Sequence, residues 1–398
     1  MTGSGPRAGG IALFLLFLLV FLFAPITTIR ILALFFVLVQ GLSLVMGYLL
    51  PRSLSIRRGA SIIRVNRFQR ITVMVEVRNR WPLPVRSVLV TDGPGGIFPV
   101  EPPVFLLSLA PRERKTLTWE AETRDRGEFI IGPLTLSGPG PFGLHPWKVT
   151  QYTPLTVIVY PAVFPLTLEH KRGLPAGNIA VLNRLYEDVS RFRSLREYAP
   201  GDELRRISWK VSARLGKLYS MEYLPSLYFP VLVLLNLSAP DYPLHARHAQ
   251  MERAIELAAS LAVYFIGLKQ EVGLAATATI SGEEGCITVP IRAGSAHGVK
   301  MLEALARARA SDEQSDFLRL AQGAASSGGV AARTGTRILA VTPPLSRERR
   351  AALRSLSRKG LQVEAFFITS QDARPEDASL PGIVSHAVDG SGGRNLHV

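Results

Sequence analysis

Cysteine is almost missing from this chain: there is one, Cys286, among 398 residues. A disulfide framework is excluded because no second thiol exists, and cysteine-built zinc sites fail for the same reason. Acid is missing from the first fifty residues, which hold only two basic side chains, Arg7 and Arg30. Charge is sparse throughout, at 19% of residues against 47% apolar, so disorder as the main state is excluded. Several reactive signatures are also missing: no G-x-S-x-G, no G-x-x-x-x-G-K-[ST] and no H-E-x-x-H. What remains is a chain too long for one ordinary domain, with a formal net charge of +15 carried almost wholly beyond residue 50. Such a basic body suits anionic partners: lipid head groups, nucleic acid or an acidic protein face.

Two long apolar runs open the chain, at residues 11–29 and 31–50. Each is about the ~20 residues that a helix needs to cross a ~30 Å hydrocarbon core. A cleaved signal peptide would present one such run, so the pair predicts a transmembrane hairpin over 1–51, turning near Pro25-Ile26-Thr27-Thr28. Gln40, Gly41 and Ser43 would also suit a buried helix of a soluble protein, but two adjacent runs of this length favour the bilayer. Arg7 precedes the first span, and Arg52, Arg57, Arg58, Arg64 and Arg67 follow the second, while the turn has only Arg30. Positive-inside logic puts both ends in the cytoplasm, in a cell membrane crossed twice.

Residues 52–160 read as an antiparallel β-sandwich. Ile71 to Val77 is β-branched and partly alternating, Val85 to Val90 is a further strand, and turn clusters recur at Asp92 to Gly96, Ala110-Pro111-Arg112 and Ser137 to Pro141. Residues 161–230 are mixed and read as a linker. From 231 to 398 strands and helices alternate. Strands are predicted at Val231 to Leu235, Val272 to Ile280, Cys286 to Ile291, Thr336 to Thr342 and Leu361 to Ile368. Helices are predicted at 245–269, 298–309 and Ser346 to Lys359, with Met251, Ile255, Ala258 and Ala262 as the buried face of the first. This is the pattern of an open, doubly wound α/β domain. Residues 311–335 read as a loop or short helix and the Gly390 to Gly393 tail as flexible.

The densest information lies in Arg191 to Tyr223, RFRSLREYAPGDELRRISWKVSARLGKLYSMEY. Pro200-Gly201-Asp202 predicts a turn with Asp202 capping a following helix, and Gly216 suits the end of that helix. Leu204, Ile207, Val211 and Leu215 recur at helical spacing and predict its buried face. Arg206, Lys210, Arg214 and Lys217 form a basic stripe on another face; like charges at that spacing repel by a few tenths of a kcal/mol per pair. Such a stripe is either a solvated face or a surface kept for an anionic partner. Tyr198 and Trp209 are amphipathic rings suited to an interdomain seam; Trp209 could also stack on a base.

The run Arg196-Glu197-Tyr198-Ala199-Pro200-Gly201-Asp202, followed by Arg205-Arg206-Ile207-Ser208-Trp209-Lys210 and Ser212-Ala213-Arg214, resembles the signature of the domain-of-unknown-function 58 family. Arg126-Gly127 and Pro141-Phe142-Gly143-Leu144 look like upstream landmarks, so the resemblance reads over essentially the whole chain. It implies prokaryotic membrane proteins with an amino-terminal hairpin, a β domain and a von Willebrand factor type A-like domain. It also implies association with MoxR-type AAA+ ATPases, often beside transglutaminase-like membrane proteins, and no known reaction.

In type A domains a divalent cation sits on an Asp-x-Ser-x-Ser loop after the first strand, so the resemblance carries a test. Here that place reads Asn236-Leu237-Ser238-Ala239-Pro240, and the later acid is replaced by Thr342 before Pro343 and Pro344. Only Ser238 and Thr342 keep oxygen ligands, with Asp241 one position out of register. Two neutral oxygens cannot strip Mg²⁺ of its water, so the site is expected to be degenerate, with no cofactor. Elsewhere, His245, His248 and Glu252 would share one helix face and could bind zinc; a polar first turn is the plainer account. Cys286 reads as a small core residue. The leading expectation is a non-enzymatic, membrane-tethered adaptor for an ATPase, with no nucleic acid bound. A metal-dependent hydrolase, or a basic module binding anionic lipid or nucleic acid, stands as the alternative.

Overall fold

The computed structural model describes residues 5–93, 103–140, 143, 145–166, 186–200, 202–226, 230–279, 286–311, 316–324, 336–369 and 380–390. The chain divides into two compact units, Met1–Pro161 and Ala162–Val398.

The first unit opens with two helices, α1 (Gly5–Phe23) and α2 (Thr27–Ser53), joined by a three-residue turn. They pack along each other, with Phe17 stacked on Phe36 at 4.7 Å between ring centres. Arg30 closes the turn by donating from Nε to the Ala24 carbonyl at 2.6 Å. Among the described residues, α2 is the one helix long and apolar enough to cross a membrane; the apolar part of α1, Gly10–Phe23, is shorter. In the middle of α2 the polar Gln40 and Ser43 are buried, while Leu32, Phe35, Leu38, Leu42 and Val45 face outward. A soluble core helix buries its apolar face, and this one exposes it. Gln40 meets the His145 ring, Nε2 to Oε1, at 2.9 Å. That ring needs the glycines beside it. A methyl group at Gly10 would collide with the His145 side chain, and one at Gly47 would come to 3.2 Å from its carbonyl.

Ten strands follow: β1 (Leu54–Arg58), β2 (Ile62–Asn66), β3 (Arg70–Asn79), β4 (Val85–Asp92), β5 (Val104–Leu109), β6 (Arg114–Glu122), β7 (Gly127–Ile131), β8 (Leu134–Gly138), β9 (Trp147–Gln151) and β10 (Leu155–Tyr160). They form sheets of order β1-β3-β6, β2-β10-β7 and β5-β4-β8-β9. Strict alternation along β3 buries Ile71, Val73, Val75 and Val77 and leaves Met74 outside. These side chains share one core with Val88, Val90, Phe129, Ile131, Leu136 and Val157. The expectation of a wholly antiparallel arrangement fails at one place, because β2 pairs in parallel with β10. The chain between them is long enough to return to the same end, which a parallel pair requires. One buried ion pair among the described residues of this unit is held by several hydrogen bonds. Arg58 donates to both Asp92 oxygens, at 3.0 and 2.6 Å, and to the Thr153 carbonyl at 2.6 Å; the Trp119 indole donates to Asp92 at 3.2 Å.

In the second unit β11 (Tyr186–Glu197) pairs antiparallel with β12 (Tyr219–Ser226), a pairing that the mixed composition of 161–230 does not reveal. Between them lies the short helix α3 (Trp209–Leu215). Then come β13 (Val231–Asn236), α4 (Arg247–Gly267), β14 (Val272–Thr279), β15 (Ile287–Arg292), α5 (Ser295–Arg307), β16 (Arg309–Ala310), α6 (Asp316–Ala324), β17 (Arg337–Thr342), α7 (Arg347–Arg358), β18 (Gln362–Thr369) and β19 (Val384–Asp389). The sheet runs β15-β14-β13-β17-β18-β19, with β16 paired beside β14. The strands from β14 to β19 along this order are parallel, and β15 and β16 are antiparallel additions. Every residue of β13 is buried. Val231, Val233 and Leu235 pack with α4 and α5, while Leu232 and Leu234 pack with α6 and α7. A strand covered on both faces must be apolar throughout, hence the uninterrupted run that betrays it in sequence. Cys286 corrects an expectation: it is exposed, one residue before β15, because the strand begins at Ile287. Residues 391–393 of the glycine tail lie outside the described residues.

Candidate functional site

Two places in the second unit collect the residues that the sequence singled out. The first is the signature segment. It folds back on the β11–β12 pair, with the Tyr198 amide donating to Leu218 and the Ser208 amide to Tyr219, each at 2.9 Å. The expected single helix is instead a 3₁₀ turn at Leu204–Arg206 and a separate short α3. Ile207 sits between them in a β-bridge to Ser220, so its backbone cannot be helical. The expected buried face is corrected with it. Ile207 is buried, but Leu204 is 68% and Leu215 57% exposed. Gly216 ends α3 with φ 73°, a conformation that costs glycine nothing.

Asp202 does not cap that helix, which is a second correction. Its Oδ2 accepts from the Ala199 amide at 3.1 Å and its Oδ1 from Arg196 at 2.5 Å, so it ties the turn backward to β11. These bonds, the Ala199 amide first, hold the Asp202 carboxyl below its ordinary value of 3.8. Arg196 also lies 3.6 Å from Glu222. Lys217 donates to Glu197 at 3.0 Å, which raises its ammonium above the ordinary range. The stripe is therefore split. Arg206 lies in the 3₁₀ turn near Glu203, as does Arg205. Lys210 and Arg214 stand exposed one turn apart on α3, with no carboxylate partner among the described residues. Trp209 beside them is 63% exposed, and Tyr198 is half-buried. Gly201 lies outside the described residues.

The second place is the carboxyl end of the parallel sheet. The chain leaves β13 toward β14 on one side and later reaches β17 on the other, so Asn236 and Thr342 flank the point where open α/β sheets bind ligands. Asn236 is fully buried and uses all its bonding capacity. Its Oδ1 accepts from the Ser238 amide at 3.0 Å and from Thr277 Oγ1 at 3.2 Å. Its Nδ2 donates to Asp241 at 2.9 Å and to Thr342 Oγ1 at 3.2 Å. Arg349, from α7, donates to the other Asp241 oxygen. The Tyr242 hydroxyl donates to the Asn236 carbonyl at 2.6 Å. Burial pushes that hydroxyl far above its ordinary value of 10.0, and the Asp241 charge adds to it. Ser238 is buried in a bridge to Ser311, and Pro240 lies exposed in a 3₁₀ turn. The residues do not fit a divalent cation. The one carboxylate is already neutralised by a guanidinium, and an amide N–H points at it where a ligand oxygen would be needed. Thr277, Arg349 and Tyr242 escaped the sequence reading, since each reaches the site only through sheet order or helix packing.

The possible zinc face at His245 is corrected too. Helix α4 starts at Arg247, which leaves His245 in the preceding turn, off the face that His248 and Glu252 share. Among the described residues no group of three His, Cys, Asp or Glu could hold a metal.

A family profile described as "Protein of unknown function DUF58" matches residues 194–393. The chain belongs to that family. The match covers the signature and the α/β unit, about half the chain, where the resemblance had been read over the whole of it. A comparison with curated proteins finds no match. Among solved structures, the CARDB domain of PF1109 from Pyrococcus furiosus is 16% identical, covering 27% of this chain and 94% of that one, with a TM-score of 0.21. Proximal thread matrix protein 1 from the mussel byssus is 11% identical over 36% of this chain and 39% of its own, with a TM-score of 0.28.

Proposed function

We propose that this DUF58 protein is a non-enzymatic, membrane-anchored interaction protein. On this reading α1 and α2 are two spans, and both compact units face the cytoplasm; the arginines at 52, 57, 58, 64 and 67 support that orientation. The second unit is read as von Willebrand factor type A-like. Its parallel sheet, its helices on both faces and its polar network after the first parallel strand support that reading. The partner we propose is a MoxR-type AAA+ ATPase, with a transglutaminase-like membrane protein as a further neighbour.

One observation carries the adaptor reading: Trp209, Leu215, Lys210 and Arg214 are exposed together on α3, within the family signature. An aromatic anchor beside two exposed cations suits an acidic protein face. The test is capture of partners from solubilised membranes with the full-length protein and with Lys210→Glu/Arg214→Glu. An AAA+ ATPase should be recovered with the native chain and lost with the variant, and added salt should weaken its capture. Equal recovery on both would place the contact elsewhere.

A further inference from the structure

The foot of α2 holds a feature that the docking surface does not use. An open cleft of about 560 Å³ is lined by Gly47, Tyr48, Arg52, Trp147, Lys148 and Gln151 among others, with no carboxylate in its wall. Arg52 lies flat over the Tyr48 ring, 3.6 Å from its centre, and donates to the Tyr48 carbonyl at 2.8 Å. That leaves most of its guanidinium donors unused. Lys148 is exposed, and neither cation has a carboxylate partner among the described residues. Trp147 is 3% exposed, yet its indole N–H meets no acceptor. A buried donor without a partner is costly, and it marks the wall of the cleft as incompletely satisfied.

The position of the cleft completes the argument. From Arg30 to Arg52 an α-helix rises about 33 Å, close to the ~30 Å hydrocarbon thickness. With Arg30 at one surface, Tyr48 and Arg52 reach the other, the level at which aromatic rings and basic side chains meet head groups. The segment leading to β9, PGPFGLHPW at 139–147, has no Asp, Glu, Lys or Arg. His145 can therefore meet Gln40 without a neighbouring fixed charge being carried into the bilayer. We propose that this cleft binds the phosphate of an anionic phospholipid head group, held by Arg52 and Lys148 between Tyr48 and Trp147. The proposal rests on the reading that α2 spans the membrane.

The test uses the full-length protein in nanodiscs of phosphatidylcholine with or without phosphatidylglycerol, followed by mass spectrometry of the lipid that stays bound on release. Phosphatidylglycerol should be retained selectively. Arg52→Gln/Lys148→Gln should lower its retention roughly thirtyfold, and either single change about fivefold. Arg52→Lys keeps the charge and should retain most of the binding. Undiminished retention in the double variant, or equal retention of phosphatidylcholine, would overturn the assignment. Inorganic phosphate protecting the protein against heat as well as the lipid does would overturn the lipid source. Alkaline carbonate extraction of native membranes separates the two readings. A chain released by carbonate loses its anchor and the lipid proposal with it. A chain that stays embedded but shows no lipid selectivity loses the cleft proposal alone.

Discussion

The carboxyl end of the sheet and the signature segment belong to the same compact unit, yet they dispose of polar groups in opposite ways. At the sheet end, Asn236, Thr277 and Thr342 are wholly buried, and every polar atom of the Asn236 side chain is engaged. On α3, Lys210 and Arg214 are exposed and have no carboxylate partner among the described residues. A satisfied buried network leaves no bonding capacity for a ligand and acts on the fold itself. An unsatisfied exposed group adds little to folding and keeps its interaction energy for an encounter. The contrast places a stabilising network at the sheet end and supports the proposal that α3 is kept for a partner, although both were candidates for function in the sequence.

The comparison can be broken most directly at Asn236. Asn236→Asp is close to isosteric but replaces a donor with a second carboxylate beside Asp241, in a site with one neutralising arginine. The expected loss is about 3–5 kcal/mol of unfolding free energy, read by chemical denaturation. Added Mg²⁺ should not restore it. A variant as stable as the native chain, or one rescued by Mg²⁺, would show that the network is a cation site after all.

Next in size is the Asp241–Arg349 pair, whose side chains are 5% and 11% exposed. Arg349→Met removes the cation and strands the carboxylate, and should destabilise by roughly 3 kcal/mol. Asp241→Asn with Arg349→Met removes both charges. It should recover much of that loss, a coupling that a double-mutant cycle measures.

Tyr242 gives the same network a pH signature. Its folded pKa is raised, so its contribution is fully present below the ordinary value of 10.0. It is lost as pH climbs above that value, where the unfolded chain gives up the proton and the folded one does not. Stability should therefore fall more steeply on the alkaline side in the native chain than in Tyr242→Phe. Lys217 loses its own contribution above 10.5, so the comparison must be made against the Phe variant rather than against neutral pH alone.

These residues also mark how far the sequence could be read. Val231 to Leu235 and the Met251, Ile255, Ala258 and Ala262 face were legible, since a strand buried on both sides is apolar throughout and a helix repeats every 3.6 residues. The neutral Asn236 and the hydroxyl-free Pro240 could be read from the sequence as well. Arg349 was not, because it lies 108 residues from Asp241 along the chain and only the packing of α7 brings it there. The signature misled for a physical reason. Leu204, Ile207, Val211 and Leu215 keep helical spacing, but a β-bridge at Ile207 outbids the helix and turns two of the four leucine-type positions to solvent. Asp202 misled likewise, since a carboxylate at a turn can bond backward to Ala199 and Arg196 as readily as forward to a helix.

The smallest effect on the fold, and the sharpest on the comparison, is expected at α3. Reversing Lys210 and Arg214 to Glu removes no buried contact and breaks no ion pair with a described carboxylate. The unfolding free energy should move by no more than about 0.5 kcal/mol, as for other open surface changes. Trp209→Ala should behave similarly, because the ring is mostly exposed. Asp202→Ala differs from both. It should loosen the turn, and its effect should vanish in acid, since a carboxyl held below 3.8 contributes above that value and loses its contribution as pH falls through the lowered pKa. If charge reversal leaves melting unchanged while partner capture collapses, recognition and stability are separate on this unit. If it unfolds the chain, the two cations pair with acids of the protein itself, and the signature is a second structural network like the one at the end of the sheet.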